Sequence, residues 1–442
     1  MAVLGVLLAS IGTVPAEAGI HRAPVVLKAR QLKPAARYPL SAYRLYRRGS
    51  SGEAVAIPFQ IDEITEFGDF VLPQGPMQNS GHSNGYFDKN DELSFMGDDV
   101  GPLGKPESWP DNRRPQMVYE IRFRYPQNRQ LLPGMLRQGA VYLGVHLKKP
   151  PPREDRSYVV FDQVQDQVKT SRYTYHFDPE NYLVVNGVSM RDAAKTQEQL
   201  ALIRSSTFYM KADLKYFLTV EANHRSVRSR LEAFKSGPVR TIVRVTFFYT
   251  FLKLNFEVGM YTEVSFFSNS VILPAVMHMP IDGTRFFNDG SHFYYGFAFE
   301  QNPATFDWDT NMPVKGDQGL ASWLDLFRSE DRKPATYWAS VLSDNAMFYW
   351  ELDLSKKLVA DDNYPRFYRE DKTADQLAGR DGNALLPLGK SPVNMALSFD
   401  LTKFRAGEHQ MAFRMYFENQ RDKGLMDSYR HVDEWTFTIT RM

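Results

Sequence analysis

The segment from Gly81 to Asp99 crowds Asp88, Asn90, Asp91, Glu92, Asp98 and Asp99 around the short apolar run Leu93 to Met96. Oxygen ligands at alternate positions suit a hard cation such as Ca²⁺, which takes roughly six to eight of them. Asp88, Asn90, Glu92 and Asp99 are the candidate ligands. The spacing is not that of an EF-hand: Leu93 stands where that loop needs Gly, and Asp99 where it needs a bidentate Glu. The same residues also read as an Asx-rich turn feeding a strand, with Asn and Asp side chains bonded to their own backbone. Both readings stay open at the level of sequence.

A second constellation lies between His278 and Tyr295. His292 and Tyr294 are candidate acid–base groups, and Arg285 would neutralise a substrate carboxylate. Asn288, Asp289 and Tyr295 are candidate ligand-binding residues beside them. Trp308, between Asp307 and Asp309, offers a ring for stacking. A lone histidine is more often structural than catalytic, and Asp307 to Asn311 reads equally as a surface turn. The nine histidines are dispersed, with no H-E-x-x-H helix and no phosphate-cradling G-x-x-x-x-G-K. No nucleotide cofactor is expected. Cysteine is absent, which excludes disulfides, thiolate metal sites and covalently attached haem.

The elements that must position these groups read as strands. Met117, Tyr119, Ile121 and Phe123 alternate with Val118, Glu120, Arg122 and Arg124, the period of a strand with one wet face. Val55 to Ile61 is an apolar run whose Pro58 implies an edge strand or a bulge. Pro238 to Val271 predicts two or three long antiparallel strands, bending at Gly259 or at Ser268-Asn269. Further strands are expected over 141–146, 158–161, 293–299, 346–352, 396–399, 410–417 and 435–440. Ser189 and Asp192 form an S-x-x-D start signal that predicts a helix through Ala193, Leu200 and Ile203. A second short helix is expected from Leu320 to Phe327.

At 442 residues the chain exceeds one ordinary hydrophobic core. Its 53 basic and 52 acidic residues nearly cancel, so a nucleic-acid partner is not expected. Val3 to Val14 is apolar and runs into Pro15-Ala16-Glu17-Ala18, which predicts a signal peptide cut after Ala18 and a periplasmic or secreted protein. That run is too short to span a bilayer, and no later segment reads as a membrane helix. Arg240, Arg244, Lys253, Glu257 and Glu263 interrupt the best strand block, which argues against an outer-membrane barrel.

Two segments carry a resemblance. Ile57 to Glu63 (IPFQIDE), with Phe87 to Asp99 (FDKNDELSFMGDD), resembles a pattern in poorly characterised exported bacterial proteins. Ser236-Gly237-Pro238-Val239-Arg240, leading into the long strands, resembles the entry strand of galactose-mutarotase-like supersandwich proteins. That fold is common among carbohydrate-active enzymes, including polysaccharide lyases, so the resemblance implies a large antiparallel β-architecture and a glycan ligand. Neither motif is catalytic, and no active-site residue carries over.

The expectation is an all-β chain. It comprises a signal peptide at 1–18, an N-terminal β-barrel or sandwich module at 19–180 and a larger supersandwich-like domain at 181–442. The expected function is binding or processing of an extracytoplasmic glycan. The alternatives are a non-catalytic structural protein with a Ca²⁺-stabilised loop, and a polysaccharide lyase or epimerase acting through Arg285, His292 and Tyr294.

Overall fold

A computed structural model describes residues 19–442 except 128–130, 133, 192–198, 216–217, 252–253, 280, 313, 316–335, 356, 359–364 and 370–392. The segment 1–18 expected to be a signal peptide and the helix expected at 320–327 therefore lie outside the described residues. The fold is all-β and almost wholly antiparallel. Among the described residues, sheets of ten, eight, five and three strands account for it, and the parallel pairings are Val314–Lys315 with Arg366–Arg369 and an isolated bridge between Glu53 and Ser108. The fully described α-helices are short, Gly283–Phe286 and Lys423–Arg430.

The two large sheets form a sandwich. The ten-stranded sheet includes Gln199–Asp213, His292–Phe299 and Met395–Asp400 at its centre. The eight-stranded sheet runs from Val227–Ser236 through Arg240–Phe251, Leu254–Phe267, Ser270–Met279, Gly407–Glu418 and Met347–Leu354 to its far edge. Period-two alternation decides which side chains meet between them. Tyr295, Phe297 and Phe299 point inward from one sheet and meet Trp350 and Phe348 of the other, with Phe297 at 5.1 Å from Trp350 and 5.4 Å from Phe348. These rings sit in a continuous apolar core that reaches from Val159 to Phe417.

A smaller module precedes the sandwich. Pro24–Lys28, Glu92–Met96 and Gln60–Asp62 form one sheet, and Tyr43–Arg48, Ala54–Ala56, Met117–Arg124 and Gln138–Val145 form most of another. The second sheet is completed by the last strand of the chain, Thr436–Arg441. The two small sheets enclose their own core, which includes Val25, Leu27, Phe95, Tyr119, Ile121, Val141 and Leu143.

The expected alternation holds from Tyr119 to Arg124, with Ile121 and Phe123 buried and Arg124 exposed, but Val118, expected on the wet face, is buried against Tyr46, Ala140 and Tyr142. The hairpin between the long strands turns at Ser268-Asn269, whereas Gly259 lies inside a strand. The helix expected after Ser189 is not formed at either end. Ser189 lies in Asn181–Arg191, and Leu200 and Ile203 lie in Gln199–Asp213, which pair with one another. Val188, Met190 and Leu202 are buried, so the strand pairing overrides the local capping signal.

The distinctive motifs meet at the seam between module and sandwich. Gln60 accepts from the backbone amides of Val239 and Arg240 and donates to Asp62 at 2.8 Å. Asp62 binds Arg240 Nε and Lys235 Nζ, each at 2.7 Å, and Arg240 reaches Glu92 at 2.8 Å. The guanidinium also lies over the Phe70 ring at 4.8 Å. Burial opposes the charge on Asp62, but Arg240 and Lys235 outweigh it and hold the carboxyl down at about 2. A Cβ at Gly237 would meet the Gln60 carboxamide, which would have to shift from its bonds to Val239 and Arg240.

Candidate functional site

The acidic segment is drawn to separate partners. Asp88 accepts from Asn84 Nδ2 at 2.8 Å and from the Asn90 amide at 3.3 Å, and Asp91 accepts from the amides of Asp88 and Ile64. That is Asx-turn geometry. Glu92 faces Arg240, while Asp99 accepts from Arg156 at 2.9 Å and from the Tyr158 hydroxyl at 2.7 Å. Asp88, Asn90, Glu92 and Asp99 are thus not brought to one point. Among the described residues, no group of three His, Cys, Asp or Glu side chains is placed to hold a metal ion.

The second constellation is divided by its strand. His292 and Tyr294 lie on the outer face of the ten-stranded sheet, with ring centroids 4.4 Å apart and Tyr209 nearby. Tyr294 is buried, and burial raises its hydroxyl pKa. Tyr295 points the other way, into the sandwich core, 5.5 Å from Phe413. Arg285 is exposed on its short helix and loosely paired with Asp282 at 3.9 Å. Asn288 and Asp289 are exposed in the following turn, where Asn288 donates to the Leu214 carbonyl. Trp308 stands on the edge strand Asp307–Thr310 of the other large sheet, half-buried against Phe299 and capped by Arg369 at 5.1 Å. The structure therefore brings His292 and Tyr294 together, and places Arg285, Tyr295 and Trp308 elsewhere. Asp307 and Asp309 are spent on Lys423 at 2.6 Å and Arg430 at 3.0 Å.

Three clefts are lined mainly by other residues. The most aromatic has a volume of about 180 Å³ and lies where the N-terminal segment meets the C-terminal helix. Trp435 forms its wall, stacked on Tyr125 at 4.9 Å and edge-on to His21 at 5.6 Å. Leu132 and Met135 add apolar surface, and Asp427, Ser428 and His431 add polar groups. The helix Lys423–Arg430 positions Asp427 and Ser428, and its start is fixed by Asp422, which accepts from the Gly424 and Leu425 amides. His431 bonds Glu434 through Nδ1 at 2.9 Å, leaving Nε2 as its second polar atom. His21 is buried, and burial lowers its pKa to about 4, so the ring is neutral at physiological pH.

A wider cleft of about 770 Å³ is lined by Arg30, Lys33, Arg37, Glu66, Asp88 and Lys89, among others, so opposite charges share its walls. Arg37 there adopts a φ of 91°, outside the usual range of a non-glycine residue. The third cleft is basic. Sequence reading missed the aromatic cleft because His21, Tyr125 and Trp435 are remote from one another along the chain and each is ordinary alone; only the Trp435 strand signal was available.

Fold and clefts together define a two-module antiparallel β-sandwich protein with an aromatic pocket where Ile20 and His21 meet the segment from Gly424 to Trp435. No family model matches the chain, and no curated protein matches it. Among solved structures it is similar to an alpha-mannosidase from Enterococcus faecalis V583, at 9% identity and a TM-score of 0.43 over 96% of this chain and 45% of that one. A protein of glycosyl hydrolase family 38 from Enterococcus faecalis is similar at 9% identity and a TM-score of 0.40, covering 96% of this chain and 46% of that one. The gh92 family glycosyl hydrolase ccman5 follows at 10% identity and a TM-score of 0.26, covering 59% and 30%. The chain spans less than half the length of each.

Proposed function

We propose that the chain is an exported glycan-binding protein whose sugar site is the Trp435 cleft. The observation that supports this reading is the composition of that cleft, a Trp–Tyr stack beside Asp427, Ser428 and His431. Sugars present apolar C–H faces and rings of hydroxyls, so a site for them combines aromatic surface with a few aimed polar groups. Binding is favoured over catalysis by the contacts of those groups. Ser428 donates to the Leu425 carbonyl and Asp427 pairs with Arg430, so neither forms a nucleophile–base contact with His431.

Titration of the protein with a panel of oligosaccharides, followed by tryptophan fluorescence and calorimetry, tests the reading. Trp435→Ala is expected to weaken binding at least about tenfold, on the order of 1.4 kcal/mol, with an unchanged circular dichroism spectrum. A wild-type protein that binds no saccharide, or a folded variant that binds equally well, removes the proposal. Export rests on the apolar leader and its A-x-A site. N-terminal sequencing of protein from the native host is expected to begin at Gly19, and an intact Met1 would contradict it.

A further inference from the structure

The third cleft, about 660 Å³, lies on the small module and is lined by Asn112, Arg113, Arg114, Gln116, His146, Lys148 and Lys149. Four of these are cations and none is a carboxylate. All four are exposed, and none is in an ion pair with a described carboxylate. In a chain whose net charge is +1, this is a local concentration of unspent positive charge.

The cations are held on stiff supports. Asp111 and Asn112 take consecutive left-handed φ angles of 54° and 56°, and Lys149 takes 43°. Such angles are uncommon for non-glycine residues and persist only where surrounding structure enforces them. The turn is anchored by Trp109, edge-on to Tyr46 at 5.1 Å, and closed by Asn112 and Arg113 amides donating to the Trp109 and Pro110 carbonyls. Across the cleft, the Leu147 amide donates to Gln116 Oε1 at 2.8 Å, tying the two walls together. His146 forms the floor, bonded to the Tyr46 hydroxyl at 2.9 Å. Burial, then Arg44, lowers its pKa to about 4, so the floor stays uncharged above that pH. Asp111, the nearest carboxylate along the chain, is exposed and does not line the cleft.

We propose that this cleft binds a stretch of acidic polysaccharide, its carboxylate or sulfate groups held by Arg113, Arg114, Lys148 and Lys149. The lining chemistry selects among polyanions. No Phe, Tyr or Trp lines the cleft to stack nucleobases, and no apolar side chain lines it to receive an acyl chain. Asn112 and Gln116 supply amide groups suited to sugar hydroxyls. The polymer class rests on the glycan reading above, whereas the anion selectivity rests on this cleft alone.

The test is binding of the full chain to polygalacturonate, with dextran as the neutral polymer and oligo-dT as the non-glycan polyanion. Polygalacturonate binding is expected to weaken steeply as salt rises from about 50 to 200 mM. Arg113→Gln/Arg114→Gln should weaken it about tenfold and flatten the salt dependence, and adding Lys148→Gln/Lys149→Gln should abolish it. Thermal melts of these surface variants should match the wild type. Trp435→Ala should leave the salt-dependent binding in place, which separates failure of this proposal from failure of the pocket reading. No binding of polygalacturonate at low salt, binding indifferent to the fourfold variant, or equal affinity for oligo-dT would each overturn the assignment.

Discussion

Replacing Arg240 with methionine is expected to destabilise the folded chain by about 3 kcal/mol or more, a shift readily seen in the urea midpoint. Removing one partner of a buried ion pair leaves the other charge without compensation, which costs roughly 3–5 kcal/mol. Here two carboxylates depend on one guanidinium, Asp62 at 1% side-chain exposure and Glu92 at 12%. Lys235 still reaches Asp62 in the variant, which sets the expectation toward the lower end of that range. The loss should appear in both modules, because Arg240 lies in the sandwich while Asp62 and Glu92 lie in the three-stranded sheet. Arg285→Ala, at an exposed and loosely paired site, is the control and should change stability by no more than about 0.5 kcal/mol. Equal midpoints for the two variants would remove the claim that this network joins the modules. The Asp62 contribution has a definite pH dependence. Its folded pKa is depressed, so the stabilisation is complete above the ordinary value of 3.8 and is lost as pH falls toward about 2.

Glu351→Gln should have the opposite kind of effect, raising stability in a pH-dependent way. Glu351 is on the outer face of the eight-stranded sheet, 6% exposed, with Arg414 at 3.9 Å. That guanidinium is shared with Asp353 at 2.7 Å and Asp433 at 3.5 Å, and the Tyr349 hydroxyl is the other group that favours the Glu351 charge. Burial therefore prevails over Arg414 and raises the carboxyl to about 8. A raised carboxyl favours the protonated form in the folded state, so stability falls as pH climbs from the ordinary value of 4.5 through about 8. Glutamine copies the neutral form and cannot titrate. The stability difference between variant and wild type should grow by on the order of 3–4 kcal/mol between about pH 5 and pH 8. Groups that do not interact with Glu351 cancel in that difference. A difference that stays constant with pH would mean that Glu351 is ionised in the folded state at an ordinary pKa.

The motif-bearing segments show how far local pattern carries. Gln60, Asp62, Glu92 and Arg240 are recognisable in sequence as unusual, yet their chemistry is structural. Charged residues in apolar strands look the same on paper whether they face solvent, a ligand or each other. The same ambiguity affects His292, Tyr294 and Tyr295. Adjacent positions in a strand face opposite sides of a sheet, so a cluster that is compact in sequence is divided in space.

Period-two alternation and runs of β-branched and aromatic residues determined the all-β class and most strands, because side-chain direction along a strand follows from local geometry alone. Strand order was not legible. The last strand, Thr436–Arg441, returns to pair with Met117–Arg124, and this return brings Trp435 against Tyr125 and His21. Nor was the basic cleft legible, because the near-equal counts of acidic and basic residues average over the whole chain. Arg113 and Arg114 meet Lys148 and Lys149 only when Met117–Arg124 and Gln138–Val145 pair. Both sites depend on contacts between residues remote in sequence, and such contacts are chosen by packing of the whole core, on which local patterns carry no information.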